Sequence, residues 1–135
     1  MVRTTQGKLH VFAASFASRE EACLYTEEQW EPEPGDDVSD DEYAAWENRN
    51  PTWGLADDLN IDLDPDFIET IDGDECYDYL RGYLVNTTDL DTVRQAAGDA
   101  NTLVLIFPNA LHDRSVMLAS TSQMTYCGAF DFQWA

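Results

Sequence analysis

The sequence predicts an α+β fold: one domain over residues 1–135, with a mixed sheet of about four or five strands covered by helices. Two observations carry this. Strand-like apolar segments lie near the two ends of the chain, and segments with helix-start signals and helical spacing lie between them. The length adds a third constraint, since 135 residues that are 44% hydrophobic can build one core and leave little room for two. No period of roughly 20 to 50 residues repeats, so a solenoid is excluded.

Taken in order, residues 8–16 (KLHVFAASF) read as a strand with two largely apolar faces. Ser18 with Glu21 three residues later forms a capping box, opening a helix expected to run to about Trp30. Residues 31–38 hold Pro32, Pro34 and Gly35 and can only be an exposed acidic loop. Ser39 and Glu42 repeat the capping box and start a second helix, reaching about Asn50. Pro51 suits the first turn of a further helix over residues 52–60, which carries Trp53, Leu55 and Leu59. Residues 62–71 contain Pro65 and read as an extended segment or edge strand.

Asp72, Gly73 and Asp74 mark a turn or a helix cap. Residues 75–84 then place Cys76, Tyr79, Leu80 and Tyr83 at i, i+3, i+4 and i+7, the stripe of a half-buried helix. Another helix is expected over residues 89–97, ended by Gly98. Residues 102–107 (TLVLIF) are apolar on both faces and predict a central strand. Residues 115–120 and 124–132 are expected as two more strands, the last with Tyr126, Gly128, Phe130 and Phe132 on one side.

Charge is the unusual property. Twenty-seven carboxylates against seven Lys plus Arg give a formal net charge of −20. Residues 20–78 contain 22 of the acids and one base, Arg49, for a net of −21, so the rest of the chain carries +1. Such a field excludes unaided binding of nucleic acid, an anionic membrane surface or a polyphosphate. Adaptation to salt would acidify the whole surface, whereas a block confined to the middle suggests a face with a task. A plainly solvated face remains the alternative. No stretch reaches the roughly 18 to 20 apolar residues of a membrane span, and no secretory signal pattern opens the chain. A cytoplasmic protein is expected.

Motifs for catalysis and metal binding are sparse. The phosphate-binding, dinucleotide-binding, nucleophile-elbow and zinc-protease patterns are missing. Cys23, Cys76 and Cys127 lie 53 and 51 residues apart and predict buried free thiols, neither a zinc knuckle nor a disulfide framework. His10 or His112 could act as a general base only if the fold paired it with Cys127 or a serine. Asp58, Asn60, Asp62, Asp64, Asp66 and Glu69 occupy positions 1, 3, 5, 7, 9 and 12 of a calcium loop. Leu63 stands where the loop needs glycine, so no metal is expected there.

The acidic stretch is interleaved with Trp30, Tyr43, Trp46 and Trp53. Carboxylates one helical turn apart lie about 5 to 6 Å from each other at Cβ, comparable to successive phosphates of a strand. This surface suits the basic groove of a nucleic-acid-binding protein, with charge for steering and aromatics for anchoring. The expected partner-binding residues are Glu27, Glu28, Trp30, Glu31, Glu33, Asp36, Asp37, Asp40, Asp41 and Glu42, with Trp30 the exposed anchor. Trp46 and Trp53 are expected in the core.

Trp53-Gly54 with the following DDLNIDLDPDFIE, and HVFAASFASREEACLY near the start, resemble the immunity protein 22 family of bacterial polymorphic toxin systems. The matching pieces are residues 10–16 with Ser18 and Glu20 or Glu21, and Asp64 to Glu69. The resemblance covers roughly residues 10–70. It implies a small intracellular antidote that binds and blocks a cognate toxin, with no cofactor and no catalysis. The charge adds that the toxin is cationic, most naturally a nuclease. A reading of a different kind uses the same face: a nucleic-acid mimic of phage or mobile-element origin that blocks a restriction or CRISPR effector.

Overall fold

The centre of the fold is a pair of strands buried on both sides, within a computed structural model that describes residues 7–134. All residues of β1 (Leu9–Ala14) and β3 (Thr102–Ile106) are buried. They pair antiparallel, with His10 opposite Ile106 and Ala14 opposite Thr102. β2 (Ile68–Asp72) adds to the outer side of β3 and β4 (Thr125–Phe130) to the outer side of β1, giving the order β2-β3-β1-β4. The sheet is antiparallel throughout and not mixed as expected. Two helices separate β2 from β3 and bring the chain back to the end at which it left β2, Asp72 lying opposite Thr102, so the pair is antiparallel.

Both faces of the sheet are covered, which is why its central strands read as continuous apolar runs. On one face Leu9, Val11, Ala13, Leu103 and Leu105 meet Cys76 and Leu80 of α4 (Cys76–Arg81) and Leu90 and Val93 of α5 (Asp89–Ala97). On the other, Phe12, Ala14, Val104 and Ile106 meet Trp53, Leu55, Leu63, Leu111, Leu118 and Met124. Leu55 belongs to α3 (Gly54–Leu59), and Tyr25 of α1 (Arg19–Thr26) packs on the same cluster.

Local chemistry sets the element ends. Ser18 caps α1 by accepting from Glu21 N, and Glu21 reaches back to Ala17 N. The helix stops at Thr26, short of Trp30, because Gln29 leaves it to exchange backbone bonds with Thr52 at 2.8 and 2.9 Å. That bridge also keeps residues 51–53 out of α3, so Pro51 does not open a helix. The edge strand expected in residues 62–71 is β2. A 3-10 turn at Pro65–Phe67 precedes it, with Asp64 accepting from Asp66 N.

Three further expectations are corrected. Residues 115–120 form no strand: Ser115 N donates to the Asp113 carboxylate and Val116 N to the Asp113 carbonyl, a local turn in place of a ladder. It is the Ser120 side chain, not its backbone, that accepts from Tyr126 N at 2.8 Å. In β4, Tyr126 does not share a face with Phe130. Val11 faces Gly128 while Phe12 faces Tyr126, so Cys127 is an extra residue in a bulge that turns the remainder over. Gly128, at φ +128°, supplies the backbone this needs. Finally, α4 ends at Arg81, and Tyr79 is exposed where the stripe predicted burial. Cys76 and Cys127 are buried thiols as expected, whereas Cys23 is half-exposed.

His10 is buried in β1, with Nδ1 2.8 Å from the Tyr126 hydroxyl and Nε2 without a partner among the described residues. Burial without a countercharge lowers its pKa to about 4. The unfolded chain binds this proton from about pH 6.5 downward while the folded chain stays neutral. Stability from this residue is therefore complete above pH 6.5 and drains away as pH falls toward 4. We expect wild type, measured against the non-titrating His10→Gln, to lose about 2 kcal/mol between pH 7 and pH 5, read by urea unfolding. A difference independent of pH would refute the buried neutral imidazole. Separately, a Cβ on Gly54 would lie 2.9 Å from the Tyr25 ring, so Gly54→Ala should cost about 1–3 kcal/mol in the same assay.

Candidate functional site

One part of the acidic block, Glu31 to Glu47, lies on and just before a helix that the core does not use. α2 (Asp40–Arg49) is well formed locally: Ser39 accepts from Glu42 N, and Asp40, Asp41 and Glu42 fill the first turn while Arg49 sits in the last, in accord with the helix dipole. Yet none of its residues is buried. Its sequence, DDEYAAWENR, has two aromatics one turn apart and no third apolar anchor, too little for a core-facing stripe.

Polar bonds to the preceding segment hold α2 in place. Glu31 is the hub. Its backbone N–H donates to Asn50 Oδ1 at 2.8 Å, and its carbonyl accepts from Trp46 Nε1 at 3.2 Å. Its carboxylate takes Arg49 Nε at 2.7 Å and Asn50 Nδ2 at 3.2 Å. The Arg49 guanidinium holds that carboxyl below the usual range. Tyr43 Oη donates to Glu33 at 2.7 Å, and the carboxylate raises the phenol's pKa. The Gln29–Thr52 bridge joins this assembly to the body.

On it lies an aromatic row. Trp30 is 57% exposed, and its ring lies 6.0 Å from that of Trp46, tilted by 40°. Tyr43 lies 5.6 Å from Trp46 at 43°. The open tilt leaves ring surface facing solvent.

Of the ten residues expected to bind a partner, Glu28 is half-buried and the rest are exposed. Trp30, Glu31 and Glu33 are drawn onto α2, whose first turn is Asp40, Asp41 and Glu42. Asp36 and Asp37 lie in the turn before it, where Val38 N bonds to Gly35 O. Glu27 and Glu28 belong instead to the end of α1, Glu27 as its C-cap. Trp53 is buried as expected, its indole N–H donating to Thr26 O at 2.8 Å. Trp46 is half-exposed, a correction, and joins the site with Tyr43. The signal for both was the lack of an apolar stripe around them.

Other constellations disperse. His10 lies on the Phe12 side of the sheet and Cys127 in the opposite core, so the two do not pair. The calcium-like run is divided among separate tasks. Asp58 accepts from the Tyr25 hydroxyl, Asn60 ends α3 in the left-handed region, Asp64 caps the 3-10 turn and Glu69 lies in β2. Among the described residues no group of three or more His, Cys, Asp or Glu side chains is placed to hold a metal, and no helix is long and apolar enough to cross a membrane.

The two tryptophans should respond differently to truncation. Trp30→Ala should shift unfolding free energy by about 0.5 kcal/mol or less. Trp53→Phe leaves the buried Thr26 carbonyl without its donor and should cost about 1–3 kcal/mol. Equal costs in urea unfolding would mean that Trp30 is structural. In comparisons with known proteins, no family model, curated protein or solved structure matches this chain.

Proposed function

We propose that the chain is an inhibitor of the immunity-protein kind: it binds a cognate cationic toxin, a nuclease by the logic of charge, and neutralises it inside the cytoplasm. One observation carries the reading. A capped, internally bonded helix with no buried residue displays an aromatic row within the most acidic part of the chain. The core gains almost nothing from this helix, so its aromatics are free to be covered by something else. The surrounding field selects a basic surface and speeds encounter with it. A nuclease cleft fits because it is built to hold phosphates. The reading requires no cofactor, metal or catalytic residue of this chain.

Affinity capture from the native host's lysate and secreted fraction, with stepwise salt elution and mass spectrometry, tests it. A single basic toxin domain that survives high salt and loses nuclease activity on binding supports the reading. Release at moderate salt of a restriction or CRISPR complex, or of many basic proteins, replaces it with a nucleic-acid mimic. With the partner in hand, we expect Asp36, Asp37, Asp40 and Asp41 changed together to Asn to slow association about tenfold or more, while unfolding stability moves by less than about 1 kcal/mol. Collapse of stability with an unchanged association rate would remove these residues from the interface.

A further inference from the structure

The aromatic row adds chemical discrimination to the charge, and we infer that this face takes arginine side chains of its basic protein partner in preference to lysine. The inference rests on the docking reading above and names the group that the face recognises. Three observations carry it.

The first is a partly exposed aromatic row set among carboxylates. Trp30, Trp46 and Tyr43 form a tilted row with centroids 6.0 and 5.6 Å apart, and Tyr43 is bonded to Glu33 with Glu47 close enough to act on it electrostatically. A guanidinium is planar and weakly hydrated, so it can stack on an indole while its N–H fork meets a carboxylate. An ammonium is a compact, strongly hydrated point charge and gains less from the same surface. The second is rigidity. The Trp46 indole is fixed by its bond to Glu31 O, and Asn50 ties Glu31 to the end of α2 from both of its amide atoms. For Trp46 and Tyr43 this ordering has already been done by folding, which lowers the entropy cost of binding. The third is a precedent within the chain. Arg49, the one base among residues 20–78, meets Glu31 through its guanidinium at 2.7 Å on this platform. The surrounding carboxylates, Asp36, Asp37, Asp40, Asp41 and Glu42 among them, exceed what that single arginine can balance.

Two labelled nine-residue peptides of equal charge, all-arginine and all-lysine, test the inference by fluorescence anisotropy at about 50 and 300 mM salt. We expect the arginine peptide to bind about fivefold more tightly at the higher salt, where screening removes most of the charge term. Trp30→Ala should erase the preference and leave lysine-peptide affinity unchanged. The fourfold Asp→Asn variant should weaken both peptides and preserve their ratio. As a check that needs no variant, the indole N–H resonances of Trp30 and Trp46 should shift with the arginine peptide and stay in place with the lysine peptide. Equal affinity of wild type for both peptides overturns the arginine inference and leaves the docking face standing. A preference that survives Trp30→Ala, or shifts confined to the other tryptophans, also overturns it. Binding of neither peptide at low salt overturns the docking reading itself.

Discussion

The double-sided burial of β1 against β3 governs how the rest of the chain is distributed. Strands whose every side chain is covered need apolar layers on both faces, and each face must be supplied from elsewhere in the sequence. One layer comes from α4 and α5; the other comes from α1, α3 and the segment around Leu111 and Leu118. Those obligations use most of the chain's large apolar residues. Residues 27–50 are left with the task of connecting α1 to α3, and a backbone bridge between Gln29 and Thr52 closes that connection at its base. Everything between those two residues is free of the core.

This division explains how so unequal a charge is tolerated. Carboxylates are costly where they must lose water, and the fold places the densest run of them where none must. Elsewhere some are turned to local use: Asp64 and Glu21 satisfy backbone N–H groups, and Asp72 takes Arg19 at 2.9 Å beside the edge of the sheet. Near Glu31 the acids become a construction material. One carboxylate and its own backbone organise Trp46, Arg49 and Asn50 without apolar burial, a polar counterpart of the core on the far side of the bridge.

Most elements were legible in the sequence because they rest on local rules. Ser18 and Ser39 cap their helices, Gly98 closes α5, and TLVLIF lies at the centre of the sheet. What escaped depends on partners distant in sequence. Gln29 meeting Thr52 shortened α1 and displaced α3, and neither residue signals the other. The bulge at Cys127 is set by register against β1, which an alternating pattern cannot display. Residues 115–120 have strand composition, yet Asp113 takes the first two of their backbone N–H groups into a turn. At the candidate site the acids and Trp30 were legible, being exposed by composition. Trp46 was not, since a tryptophan one turn from a tyrosine reads as core unless the whole helix is seen to lack a third anchor.

A helix without buried residues also has an evolutionary consequence. In most proteins a substitution at a recognition surface is taxed by the fold, because the same side chain supports packing beneath it. Along α2 and the loop before it, that tax falls mainly on Glu31, Trp46 and Asn50. The exposed positions between them can be exchanged with little penalty to folding. Such a surface can change through many small revisions while the sheet behind it stays as it is.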